Sequence, residues 1–177
     1  MQQYSMEAKS RADLRSLARS LRHELSIEDK LCVPIVELLD VFSEIFPNFS
    51  YEIVPDNDLA PDIHAETDIL TGHITIKESV YEGACKGAGR DRMTIAHEIG
   101  HFFTICCCGF KMQRIFGNRK VKAYNDPEWQ AKCFAAEFMI DYELTKDMSP
   151  RQIVDECGVT PQAAAYQSRH RGKGVVK

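Results

Sequence analysis

Apolar residues recur first at helical and then at strand periods along this chain. From about Met6 to Leu25, Leu14, Leu17, Leu21 and Leu25 fall at three- and four-residue steps, with Arg11, Arg15, Arg19 and Glu24 elsewhere. That spacing predicts an amphipathic helix whose arginines form a solvated face. Ile35, Leu38, Leu39, Phe42 and Ile45 repeat the stripe after Pro34, which suits a first helical turn. Pro47-Asn48 breaks it. The period then shortens. Phe49 to Val54 alternates as a strand, and His64 to Leu70, a Thr71-Gly72 turn and His73 to Lys77 predict a β-hairpin. Ser79 suits the cap of a short helical turn near Val80 to Cys85, and Gly83, Gly87 and Gly89 loosen the connection that follows.

The helical period returns from about Asp91 to Cys107, where Met93, Ile95, Ala96, Ile99, Phe102 and Phe103 can pack on a core and Gly109 can end the helix. Phe110 to Tyr124 is basic and mixed, with a Gly117-Asn118 turn, and reads as a loop with room for a short hairpin. Asp126-Pro127 opens another helix, running to about Ile140, as N-cap and first helical residue. Ser149-Pro150 starts one that ends near Gly158, and Thr160-Pro161 starts one that reaches about Arg171. There is no internal repeat. The expectation is one α+β domain over 1–177, helices around a small antiparallel sheet. Its parts are a helical start (1–47), the sheet (48–78), a central helical region (79–141) and C-terminal helices (142–177).

Composition adds boundaries. A chain of 177 residues with 44% hydrophobic and 27% charged residues suits a globular domain with a sizeable core. The net charge of −4 argues against broad nucleic-acid affinity. No apolar run approaches the roughly 20 residues of a membrane span, and Met1-Gln2-Gln3-Tyr4 opens no signal peptide. Seven cysteines without a regular framework read as reduced thiols of a cytoplasmic protein.

Chemistry concentrates in His97-Glu98-Ile99-Gly100-His101. Imidazoles four residues apart sit about one turn apart on one helix face, so both can reach one tetrahedral zinc. Glu98 between them can act as general base toward an attacking water. Two imidazoles plus a carboxylate suit zinc, and a hydrolytic site needs that third ligand. Glu128 and Glu137 are the candidates in the helix after Asp126-Pro127. They are about 900° apart around its axis and point to opposite sides, so only one can face the metal.

The segment from Arg92 to Phe102, Arg-Met-Thr-Ile-Ala-His-Glu-Ile-Gly-His-Phe, resembles the R-F-T-L-A-H-E-L-G-H block of the ImmA/IrrE family of metallopeptidases. The segment from Glu128 to Asp141, Glu-Trp-Gln-Ala-Lys-Cys-Phe-Ala-Ala-Glu-Phe-Met-Ile-Asp, is similar to the family's second block, E-x-x-A-N-x-F-A-A-x-L-L-M-P. The two blocks cover about 25 residues, and the order of elements extends the likeness over most of the chain. The resemblance implies a zincin-like α+β fold, with His97, His101 and Glu128 as zinc ligands and Glu137 as a non-ligand. It also implies a regulatory endopeptidase that cuts a helix-turn-helix repressor of a mobile element or stress response. Two positions depart from the pattern. Lys132 replaces a polar acceptor able to orient a ligating histidine, and Asp141 replaces a proline where the helix ends.

Other residues carry secondary expectations. Tyr124, Tyr166 and His170 are oxyanion-donor candidates by chemistry alone. The His73 to Lys77 strand could bind substrate by edge pairing. Cys106-Cys107-Cys108 cannot converge on one ion from a helix, because neighbours point about 100° apart. His64 and His73 read as hairpin residues and His23 as exposed. Two rival functions remain: a zinc-containing protein that sequesters a repressor or antitoxin without cutting it, and a DNA-binding regulator using the last two helices. The run Ala163-Ala164-Ala165 argues for packing rather than DNA reading.

Overall fold

The computed structural model describes residues 3–106, 113–115 and 121–170. Among these the fold is α+β, with eight α-helices around a small sheet. The gap residues include Cys107, Cys108, Gly109 and the Gly117-Asn118 turn, so the expectations placed on them lie outside the described residues, as does the C-terminal end from Arg171.

The first helix, α1 (Arg11–Glu24), starts later than its apolar stripe suggested because Ser10 caps it. The Ser10 hydroxyl accepts from the Asp13 backbone N–H, and the Asp13 side chain accepts from the Ser10 backbone in return. Before the cap, β1 (Gln3–Ser5) pairs antiparallel with β5 (Gln113–Ile115). Arg11 and Arg15 correct the expectation of a solvated face, since both are buried, as is Arg22, whereas Arg19 is exposed as expected. A buried guanidinium persists only with partners, and Arg11 and Arg15 meet Glu137 across the core. Arg22 donates to the carbonyls of Phe138, Ile27 and Lys30.

After α2 (Glu37–Ile45) comes β2 (Ser50–Val54), then β3 (Ala65–Asp68) and β4 (His73–Lys77). The β3–β4 hairpin is antiparallel, as its alternation predicted, with Asp68 opposite His73. The sheet as a whole is mixed, in the order β2-β4-β3, because β2 lies parallel to β4. Ile74 and Ile76 of β4 are fully buried, which explains the central place of that β-branched strand. Gly72 closes the hairpin at φ +78, and a Cβ there would collide with the Asn48 carbonyl and the Phe102 ring. The hairpin is thereby seated on an aromatic cluster; the Phe49 and Phe102 rings are 4.9 Å apart, and Phe42 and Phe103 5.2 Å.

Helices α3 (Glu78–Cys85) and α4 (Gly89–His101) follow, then α5 (Pro127–Met139). The α-helical part of α4 ends at His101 and continues as a π-turn over Phe102–Cys106 rather than running on as an α-helix. Such turns are rare and cluster at functional sites; here the turn delivers Phe102, Phe103 and Ile105 into the core. Helices α4 and α5 cross closely at Gly100, where a Cβ would sit 2.7 Å from the Ala131 carbonyl oxygen. Any larger residue would push apart the two helices that carry the predicted ligands.

The chain closes with α6 (Tyr142–Thr145), α7 (Pro150–Cys157) and α8 (Pro161–His170). Asp141, where proline was the pattern, is the N-cap of α6 and accepts from the Glu143 and Leu144 backbone N–H groups. Gly158 ends α7 in the left-handed conformation. The inner face of α8 is docked: Ala164 and Gln167 are buried, and Gln167 accepts from Arg11 and donates to the Ile140 carbonyl. No described helix is long and apolar enough to cross a membrane.

Candidate metal centre

Two short local decisions aim the predicted ligands. His97 and His101 lie one turn apart on α4, with ring centroids 4.6 Å apart and Nε2 atoms 3.1 Å apart. Glu128 sits in the first turn of α5. Pro127 presets the helical φ, and the Asp126 carboxylate accepts from the Glu128 backbone N–H at 3.0 Å. The Glu128 side chain crosses to α4. Its Oε2 lies 3.3 Å from His97 Nε2 and its Oε1 3.3 Å from His101 Nε2.

These separations test the fit of a metal directly. Donor atoms about 2.0–2.1 Å from a tetrahedral ion stand about 3.3–3.4 Å from one another. The three distances of 3.1, 3.3 and 3.3 Å match that spacing. Among the described residues, His97, His101 and Glu128 form the cluster of His, Cys, Asp or Glu donors able to hold an ion. Hydrogen bonds from His101 and His97 hold the Glu128 carboxyl well below the usual carboxylate range. It is therefore ionised, as a metal ligand must be. The donor set suits zinc.

Glu98, on the same helix turn, is 6% exposed. Burial pushes its carboxyl up from the ordinary value, while the Thr67 hydroxyl and the two histidines act in the opposite direction. Thr67 Oγ1 donates to Glu98 Oε2 at 2.7 Å and lies 3.2 Å from the Glu98 carbonyl oxygen. Sequence reasoning missed Thr67. The signal was the alternation of β3, where Ala65 and Thr67 share the less exposed face. That face, with Ile63 and Ile69, walls a cleft of about 320 Å³ containing His97, Glu98, His101 and Glu128.

The expectation of edge pairing moves to another strand. β4 is flanked on both sides by β2 and β3 and has no free edge for a peptide. β2 and β3 are the outer strands among the described residues, and of the two it is β3 that borders the cleft. None of Tyr124, Tyr166 and His170 lines that cleft. The Tyr166 hydroxyl accepts from Arg11, Tyr124 is 42% exposed, and the His170 ring packs on Tyr166. His64 meets Arg90, His73 bonds Ser50 at 2.8 Å, and His23 lies 3.5 Å from Glu28. All three stand apart from the centre.

Glu137 faces the other way from Glu128, as the half-turn phase required. Its side chain is fully buried and accepts from Arg11 Nη1 at 2.6 Å and Arg15 Nε at 2.8 Å. Lys132 is exposed, with Nζ 4.0 Å from Glu128 Oε2. Neither His97 Nδ1 nor His101 Nδ1 has a hydrogen-bond partner among the described residues. No described residue supplies the orienting acceptor usual behind a ligating imidazole, and Lys132 cannot accept a hydrogen bond.

A comparison with curated proteins finds no match for this chain. The family model described as the IrrE N-terminal-like domain of peptidase M78 matches residues 61–168. That span runs from the strand that positions Glu98, through the helices carrying His97, His101 and Glu128, to the docked last helix. The chain belongs to the peptidase M78 family, that of the IrrE N-terminal-like domain.

Proposed function

We propose that this protein is a zinc-dependent endopeptidase that cuts a helix-turn-helix repressor of a mobile element or stress response, acting as a single domain over 1–177. The observation that carries the reading is the convergence of His97, His101 and Glu128 at tetrahedral donor spacing beside a buried carboxylate. These three residues would hold the ion. When bound, zinc polarises a carbonyl and makes water more acidic. Glu98 takes the proton of the attacking water and passes it to the leaving amine. Thr67 holds the Glu98 carboxylate in position, and the free edge of β3 aligns an extended peptide along the cleft. Burial of Glu98 and of His101, which is 8% exposed, limits the water around the reacting groups.

The test uses the zinc-loaded protein and a candidate helix-turn-helix repressor from the same genome. The repressor is expected to be cut at one position, read by mass spectrometry; cleavage stops on chelation and resumes with added zinc. An intact repressor that is nonetheless held in a stable complex would sink the peptidase reading in favour of sequestration. Salt-sensitive duplex binding by this protein would instead favour a DNA-binding regulator.

Thr67→Val keeps the shape of the side chain and removes its donor. A hydrogen bond to a charged group contributes about 1.5–3 kcal/mol, so kcat is expected to fall by about ten- to a hundredfold. KM and zinc content should hold. A variant that loses zinc in parallel with rate would show that Thr67 supports the helix rather than the carboxylate.

A further inference from the structure

A second cavity, of about 550 Å³, lies between α4, α5 and α8. Its wall is mostly apolar. Met93 and His97 come from α4, Trp129 and Ala136 from α5, and Ala163 and Tyr166 from α8. Met93 and His97 are four residues apart, and Trp129 and Ala136 seven, so each pair shares one helix face. The cavity therefore lies between one face of α4 and one face of α5, bordered by α8. His97 lines both this wall and the metal cleft, so the two spaces adjoin at a predicted ligand.

The hollow opens to solvent, and its size and mostly apolar wall fall within the range of ligand sites, which occupy about 300–1,000 Å³ with a few polar groups. The charged members of the wall are Arg90 and Lys132, both exposed cations. A basic residue entering here would be repelled, and an acidic neighbour would be favoured.

We propose that this cavity is the specificity pocket of the cleft, taking a large apolar side chain of the peptide next to the bond that is cut. This rests on the peptidase reading. Because the two spaces share His97 as a wall, a peptide lying in the cleft is the occupant whose side chain is within reach. Trp129 and Tyr166 offer rings for an aromatic or branched side chain to pack against, and Ala136 and Ala163 leave the room it needs.

Trp129 is the chain's one tryptophan, so its fluorescence reports occupancy of the pocket without any cleavage. The zinc-loaded protein is titrated with N-acetylated, C-amidated glycine pentapeptides carrying Phe, Leu, Gly or Lys at the centre. Phe and Leu are expected to shift the emission saturably and at least about tenfold more tightly than Gly, with Lys weakest. Ala163→Leu, which fills the cavity, should weaken the Phe peptide by about tenfold. Met93→Ala, which widens it, should move the preference from Leu toward Phe. Equal responses to Phe and Gly, or indifference to both substitutions, overturn the proposal, as does self-association of the free protein that covers Trp129. If the repressor is cut but the peptides bind without preference, the pocket proposal falls and the peptidase stands. If the peptides bind with preference and nothing is cut, the peptidase reading falls and the pocket stands as a binding site.

Discussion

Glu98→Gln is expected to lower kcat/KM for the protein substrate by about 10²–10⁴, the usual contribution of a positioned general base, and to leave zinc content unchanged. The two outcomes separate because the Glu98 carboxylate is not one of the converging donor atoms, which come from His97, His101 and Glu128. The substitution is nearly isosteric, and the amide oxygen can still accept from the Thr67 hydroxyl, now 2.7 Å from Glu98 Oε2. Stability should not suffer. Glu98 is 6% exposed and burial raises its pKa, so its ionised form is disfavoured by the fold and a neutral amide removes that cost. The checks are steady-state cleavage of the repressor, metal content by mass spectrometry and the thermal midpoint. A variant that keeps full activity would remove Glu98 from the mechanism. One that loses activity together with zinc would show that the change disturbs the centre rather than the proton transfer. Relief of repression that survives the substitution in cells would favour sequestration over cutting.

Glu137→Ala is expected to cost about 3–5 kcal/mol of folding free energy, the penalty for breaking a buried ion pair from one side. Two guanidinium groups depend on this carboxylate: Arg11 at 2.6 Å and Arg15 at 2.8 Å, each with under a tenth of its side chain exposed. Arg11 keeps neutral partners in Gln167 and Tyr166, and Arg15 keeps the face of the Tyr142 ring at 4.7 Å. Neither set balances the charge. Arg15 Nη1 has no hydrogen-bond partner among the described residues, so the cluster has little reserve. Urea unfolding measures the loss, and the fraction that remains folded should still bind zinc, because Glu137 points away from the centre. A loss under about 1 kcal/mol, typical of exposed pairs, would show that the arginines find other partners once Glu137 is removed. Replacing Arg11, Arg15 and Glu137 together by apolar residues of similar volume should recover most of the stability.

Much of the fold was legible because its boundaries are chemical. Asp126-Pro127, Ser149-Pro150 and Gly158 mark helix ends through side-chain caps and backbone preference, which act within a few residues. The β3–β4 hairpin was readable from its alternation and Gly72 for the same reason. What failed in the reading was non-local. The parallel pairing of β2 with β4 joins segments separated by β3, and no local pattern states it. The four residues of α6 are too few to show a period, and Asp141 reads as the end of one helix although it also caps the next. Arg11 and Arg15 read as solvent residues in the sequence because their partner Glu137 lies 126 and 122 positions away.

By itself the sequence determined the donor types and their helical phase. Four-residue spacing places His97 and His101 on one face, and a half-turn offset separates Glu128 from Glu137, because helix geometry is a property of the backbone. Helix phase left Glu128 and Glu137 open until the family resemblance chose between them, and tertiary structure decided which hydroxyl holds Glu98 and which outer strand borders the cleft. Those outcomes depend on how α4 crosses α5 at Gly100 and on how the sheet is ordered, and close packing sets both through contacts between residues far apart in the chain.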